Sequence, residues 1–154
     1  MKRFLCICSL LLFGIGTAQA GYQKEEYLAD SVRVLLRQEL SAQMPELRPF
    51  GSMTEEQQFY RWRHVMSSKM SSYLAQPNMR ETILNAVDYE SRRAGLEPAL
   101  VLGVMTVESR FQPDAKSPVG ARGLMQVMPF WAAHIGDGQA QKLYHIRTNV
   151  RFGC

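Results

Sequence analysis

Apolar residues recur at helical spacing along most of the chain. Between Tyr22 and about Met44, the residues Leu28, Val32, Leu35, Leu36 and Leu40 fall three or four positions apart, and Pro45 ends the pattern. The stretch 45–53 holds Pro45, Pro49 and Gly51 and reads as a loop. Thr54 opens T-E-E-Q, a predicted capping box in which Gln57 reaches back to the helix start. Phe59, Trp62, Met66, Met70 and Tyr73 form the apolar stripe of the helix that follows. A methionine and aromatic stripe at this spacing is expected to be core. Gln76-Pro77 breaks the chain, and Asn78 with Glu81 predicts a further N-terminal cap. Ile83, Leu84, Val87 and Ala94 supply the buried face of that helix, and Gly95 its stop. Pro98 stands where a first helical residue belongs and opens P-A-L-V-L-G-V-M-T-V-E. Strand periodicity is weak throughout, so the pattern predicts a mainly α protein.

The first residues follow a different logic. Lys2 and Arg3 precede an apolar run from Phe4 to Gly16, and small residues lead to Ala18-Gln19-Ala20. This order is that of a secretory signal peptide cut after Ala20, with an apolar run too short to span a bilayer. Cys6 and Cys8 lie inside that run, too early to carry a lipid at the cleavage point. The expected product is exported, periplasmic or cell-wall associated, and free of a membrane span. Its domain organisation reads as signal peptide 1–20, a helical N-terminal region 21–76 and a second region 77–154. Loss of Lys2 and Arg3 lowers the formal net charge from +4 to +2, and Cys154 remains the only thiol, able to pair only between chains.

Composition changes the picture little. The chain has 154 residues, 46% of them apolar and 21% charged, which suits one globular domain with a small appendage. Three cysteines exclude a disulfide-dense scaffold. Basic side chains gather after residue 108, where an anionic polymer or plain solvent could face them. His64, His134 and His145 lack metal-ligand spacing, and Gly136-Asp137-Gly138 lacks the remaining ligands of a calcium loop. No metal or cofactor is expected, and no nucleic-acid partner.

Chemistry concentrates after Pro98. Glu108 follows Val101 by seven residues, Val104 by four and Met105 by three, which puts its carboxylate on their face at the C-terminal end of the helix. Partial desolvation and the negative end of the helix dipole would keep such a carboxyl protonated, as a general acid requires. The competing reading is a boundary glutamate that faces solvent or pairs with Arg110 or Arg122. Residues 111–129, FQPDAKSPVGARGLMQVMP, are too rich in proline and glycine for helix or strand. Gly120 and Gly123 let backbone approach a ligand, and Ser117 and Gln126 offer hydrogen-bonding groups on a loop. Met125 and Met128 add apolar surface for a sugar ring. A carboxylate followed by a polar, glycine-containing loop describes a saccharide cleft. Phe130 and Trp131 fit either a sugar-stacking platform or burial under the next helix.

The run VESRFQPDAKSPVGARGLMQVMP, residues 107–129, closely resembles the signature of soluble lytic transglycosylases, the peptidoglycan-cleaving branch of the lysozyme superfamily. The resemblance covers roughly residues 78–154. It implies a mainly α, lysozyme-like transglycosylase fold with an N-terminal helical extension, and peptidoglycan glycan strands as the substrate. It places the catalytic acid on Glu108 and, beside it, a substrate-binding serine on Ser109. It puts Ser117 near the acetamido group of the glycan, and Gln126 and Met128 along the saccharide groove. The implied reaction uses one carboxylate twice. Glu108 protonates the oxygen between N-acetylmuramic acid and N-acetylglucosamine, then takes the proton of the muramic acid C6 hydroxyl as a 1,6-anhydro ring closes. Ordinary glycosidases need a second carboxylate about 5–10 Å away. Asp114 is the only other acid within the motif and has no such role in the family.

In one respect the chain departs from the family. Related domains continue to an A-Y-N-x-G-like segment whose tyrosine and asparagine complete the cleft, and no such segment follows Asn149–Cys154 here. The expectation is a C-terminally truncated domain. Two alternatives to the transglycosylase stand beside it: a hydrolase of the lysozyme type, and a truncated, inactive glycan-binding or cell-wall assembly protein. Cell-wall or secretion-machinery proteins are the protein partners such a chain would meet.

Overall fold

A computed structural model describes residues 28–42, 45 and 47–154. The signal-peptide reading of residues 1–20 falls outside them. The described residues form six α-helices: α1 (Asp30–Ser41), α2 (Met53–Met70), α3 (Pro77–Arg93), α4 (Pro98–Glu108), α5 (Pro129–Ile135) and α6 (Ile146–Gly153). A 3-10 turn, Ala140–Tyr144, precedes α6. Pairing outside helices is limited, among the described residues, to the isolated bridges Lys116–Arg122 and Arg122–Val127. The mainly α expectation holds.

Three local expectations are corrected. The helix α2 starts from Ser52, whose extended backbone (φ −157°, ψ 159°) lets its Oγ accept from the Glu55 N–H at 3.1 Å. Glu55, not Gln57, reaches back, accepting from the Gly51 N–H at 2.7 Å. Arg48 also donates to it at 2.7 Å, a charge-assisted contact that a glutamine could not match. The Gly51 bond and Arg48 together hold the Glu55 carboxyl below the usual range. Helix α3 begins at Pro77, one residue before the expected Asn78 cap, and has no side-chain cap; proline suits this first position because the N–H it lacks has no intrahelical partner there. Ala94, expected on its buried face, is exposed, and Gly95 ends the helix at φ +70° as anticipated.

The main core joins α2, α3, α4 and α6. Met70, Leu74, Ile83, Leu84, Val87, Val101, Met105, Phe111 and Val150 form one buried cluster, with Trp62 and Met66 half-buried against it. Tyr73, the last of the α2 stripe, is 46% exposed and meets the Phe111 ring edge-on at 5.7 Å between centroids. A smaller cluster of Val127, Ala132 and Leu143 lies under Trp131 and Phe152.

The first helix is different. None of its residues is buried, and Val32 and Leu35 of the expected stripe lie 43% and 62% exposed. Polar contacts fasten it instead. Glu39 meets Arg93 at 2.9 Å, Arg37 donates to the Ala133 carbonyl at 3.1 Å, and Arg151 donates to the carbonyls of Leu40 and Ala42. Arg151 itself is held by Glu90, a carboxylate with no solvent exposure that also binds Arg93 at 2.7 Å.

Candidate active site

Helix α4 presents Glu108 as its last residue. Val101, Leu102 and Met105 pack inward, whereas Leu100, Val104 and Val107 are exposed. Glu108 is exposed as well, without a hydrogen bond or ion pair to any described residue. The expected partial desolvation is therefore absent. Its spacing from Val101 and Met105 is right, but it also stands one turn from the exposed Val104, at the edge of the buried face that continues through Ser109. Pairing with Arg110 or Arg122 is also not seen; Arg122 instead donates to the Ala140 carbonyl at 2.9 Å.

The chain turns sharply behind the acid. Ser109 is buried and closes the helix, with its N–H and Oγ both donating to the Met105 carbonyl, at 3.1 and 3.3 Å. Arg110 and Phe111 then adopt left-handed backbone, φ +51° and +63°. Each such residue costs roughly 1–2 kcal/mol. The buried Phe111 ring, packed in the core beside Tyr73, holds the turn in place. The aromatic position of the motif is thus an anchor that fixes where α4 stops.

The loop that follows is braced from within. Ser117 Oγ accepts from the Ala121 N–H at 3.0 Å, and the two residues also exchange backbone bonding through Ser117 N–H and the Ala121 carbonyl. The Ala115 carbonyl accepts from Gly123 N–H at 2.8 Å and from the Gln126 side-chain amide at 3.3 Å. Gln126, itself left-handed at φ +48° and 9% exposed, donates a second bond to the Gly123 carbonyl at 2.9 Å. Ser117 and Gln126 thus sit on one rigid loop, and Met128 leaves it, half-buried, to begin α5. Gln126 spends its amide protons on the Ala115 and Gly123 carbonyls and so braces the loop from within. Phe130 and Trp131 are both half-buried, with centroids 5.1 Å apart, and Trp131 packs on the smaller core cluster.

Asn149 is the site residue that sequence reasoning missed. It is 1% exposed and sits in α6, where its Oδ1 accepts from the Met125 N–H at 2.7 Å. Its Nδ2 donates to the carbonyls of Arg122 and Leu143, both at 2.7 Å. One amide therefore ties the loop, the 3-10 turn and α6 together. Gly123 lets it come this close: a Cβ there would lie 2.4 Å from Asn149 Nδ2, and its φ is +72°. An asparagine inside an amphipathic helix carries no local mark of such a role.

Cavities among the described residues include ones of about 560, 410, 410 and 250 Å³, lined from α1, α2, α3, α5 and α6 and the segments beside them. None of the four is lined by Glu108, Ser109, Ser117, Gln126 or Met128. Among the described residues no cluster of three or more His, Cys, Asp and Glu could hold a metal ion, and no helix is long and apolar enough to cross a membrane.

The model of the transglycosylase SLT domain matches residues 85–154. The chain is 45% identical over 71 residues to the membrane-bound lytic murein transglycosylase C of Actinobacillus pleuropneumoniae serotype 5b, covering 41% of this chain and 20% of that protein. It is 30% identical over 142 residues to the protein of the same name from Haemophilus influenzae, covering 69% of this chain and 40% of the other. The chain thus spans between a fifth and two fifths of the length of these relatives. No solved structure matches it. The matched region opens within α3 and contains the whole of the Glu108 turn, its braced loop and Asn149, and through it the chain belongs to the soluble lytic transglycosylase family.

Proposed function

We propose that this protein is a peptidoglycan lytic transglycosylase that cleaves the bond between N-acetylmuramic acid and N-acetylglucosamine, with Glu108 as its only acid–base group. The observation that carries the reading is the unpartnered carboxylate at the end of α4, set ahead of a rigid loop. A carboxylate without competing partners among the described residues leaves both oxygens open to the substrate. A glycan strand lying along Ser117, Gln126 and Met128 excludes water from it, and the proton goes to the glycosidic oxygen as that bond breaks. The C6 hydroxyl of the muramic acid then closes on C1, and its proton passes to Glu108, which regenerates the acid. Ser109 closes the helix end that presents the carboxylate. Residues 77–154 form the transglycosylase region, and residues 21–76 a helical N-terminal region that completes its core. Export by residues 1–20 brings the protein to the cell wall, where cell-wall or secretion-machinery proteins are its partners.

Mass analysis of products from purified cell wall tests the reading. Muropeptides ending in 1,6-anhydro sugars are the expected outcome. Reducing ends would show the hydrolase alternative, in which water replaces the C6 hydroxyl. The exposure of Glu108 favours one other reading, a glycan-binding protein without turnover. Binding to insoluble peptidoglycan with no soluble product would establish it.

A further inference from the structure

We propose that the cavity between the 48–52 segment, α2 and α3 is a second glycan subsite, which takes an N-acetylated sugar by its acetamido carbonyl and its apolar ring face. The inference rests on the peptidoglycan reading for the choice of sugar, and on the cavity itself for the chemistry. The space is about 410 Å³ and is lined by Arg48, Gln58, Phe59, Trp62, Asp88 and Arg92, with Glu55 at its edge. That volume lies in the range of small-ligand pockets, about 300–1,000 Å³. None of its lining residues belongs to the Glu108 turn or its loop.

The groups in this cavity are partnered in a lopsided way. Asp88 is 1% exposed and both its oxygens are taken, one by Arg48 Nε and the other by Arg92 Nε at 2.8 Å. Glu55 is taken by Arg48 Nη1 and the Gly51 N–H, each at 2.7 Å. The Arg48 side chain is only 10% accessible, yet its Nη2 is buried and without a hydrogen-bond acceptor. A buried donor left unmade is costly, and one beside a cavity asks for an oxygen from outside the chain. Arg92 uses only its Nε among the described residues and keeps its outer edge open.

Charge selects the kind of oxygen. Two guanidiniums and two carboxylates cancel, so an anion would enter against Asp88 and Glu55, and a cation would find both carboxylates occupied. A neutral carbonyl meets neither obstacle. Trp62, half-buried, and Phe59 give the same space an aromatic wall, with ring centroids 6.0 Å apart, on which the C–H face of a sugar rests. Gln58 is exposed at the mouth, placed to meet ring hydroxyls. An acetamido sugar offers the carbonyl, the apolar face and the hydroxyls together.

The chain has two tryptophans, so Trp131→Phe leaves Trp62 as the only one, and excitation at the red edge of the tryptophan band avoids the six tyrosines. That protein is titrated with N,N′-diacetylchitobiose and with cellobiose, a neutral disaccharide without acetamido groups. A saturable change in Trp62 emission is expected with the first, and binding weaker by about tenfold or more with the second, the worth of one well-made hydrogen bond to a charged donor. Arg92→Ala, at a half-exposed position, and Arg48→Lys should each weaken the acetylated sugar by a similar factor, and Glu108→Gln should leave it unchanged. Arg92→Ala keeps the test valid if Arg48→Lys fails to fold. No saturable response, equal affinity for the two sugars, or undiminished binding by folded Arg92→Ala would each overturn the subsite. Cell-wall cleavage measured in parallel separates the two readings. A Trp62 response without cleavage overturns the catalytic reading alone, and cleavage with a silent Trp62 overturns this one alone.

Discussion

Asn149 should be the residue on which the site depends most without touching the substrate. Its three hydrogen bonds join groups that have different alternatives. The Arg122 carbonyl also accepts from Val127 N–H at 3.0 Å, so it keeps a partner if the asparagine is lost. The Met125 N–H and the Leu143 carbonyl have no second hydrogen bond outside helical pairing. Asn149→Leu, of similar volume, would leave these two buried groups unsatisfied at about 1–3 kcal/mol each, a loss of roughly 2–6 kcal/mol. That is a large share of a domain stability of about 5–15 kcal/mol. Asn149→Asp is the sharper probe, because it preserves shape and the acceptor for Met125. Its second oxygen, ionised, would face two carbonyl oxygens with no proton to offer. Urea unfolding of the parent and both variants measures the effect, with comparable m values needed to attribute it to stability. Losses under about 1 kcal/mol for both variants would refute the argument, since one unsatisfied group already exceeds that. A third perturbation approaches the same contact from the other side. Gly123→Ala would push a Cβ to 2.4 Å from Asn149 Nδ2 at φ +72°, and the loss should be roughly 2–5 kcal/mol from left-handed strain and overpacking together.

Glu108→Gln should reduce turnover of purified cell wall by about 10²–10⁴-fold, the usual worth of general acid–base catalysis. Its melting temperature should not move, because the side chain is exposed and unpartnered among the described residues; activity within threefold of the parent would remove Glu108 from the mechanism. Glu90→Gln should destabilise by about 3–5 kcal/mol in chemical denaturation, because it strands the buried Arg151 guanidinium, whose side chain is 4% accessible. Asp137→Asn, which breaks an exposed pair with Lys142, should cost under about 1 kcal/mol in the same assay. Burial pushes the Cys154 thiol up to about 11, so its reactive thiolate is depleted at neutral pH and returns only as pH rises towards that value. Alkylation by iodoacetamide at pH 8 should run about a hundredfold slower than for an ordinary thiol of pKa about 8.5; a rate equal to that of glutathione would contradict the burial.

The sequence determined by itself what short-range chemistry decides. Pro77 and Pro98 open their helices because the N–H that proline lacks would have no intrahelical partner in a first turn, and Gly95 closes α3 because the chain must turn left-handed there. The motif from Val107 to Pro129 carried the family, the candidate acid and the irregular loop, all within one continuous segment. The capping box was legible in kind but not in place, since Ser52–Glu55 prevailed through Arg48, which lies outside the four-residue pattern.

Tertiary structure alone decided burial and partnership. The apolar stripe of α1 looks on paper like that of α2, yet only α2 contributes to the core, and α1 is held by Glu39, Arg93 and Arg151 across 54 and 111 residues of chain. Glu108 has the spacing of a half-buried residue and is exposed, because periodicity gives a direction around the helix and not the extent of the packing that covers it. Asn149 shows the same limit in reverse. A polar residue in a helix reads as a solvent-facing one, and it becomes the centre of the site only when three backbone segments, distant in sequence, present their unmet hydrogen bonds to it at once.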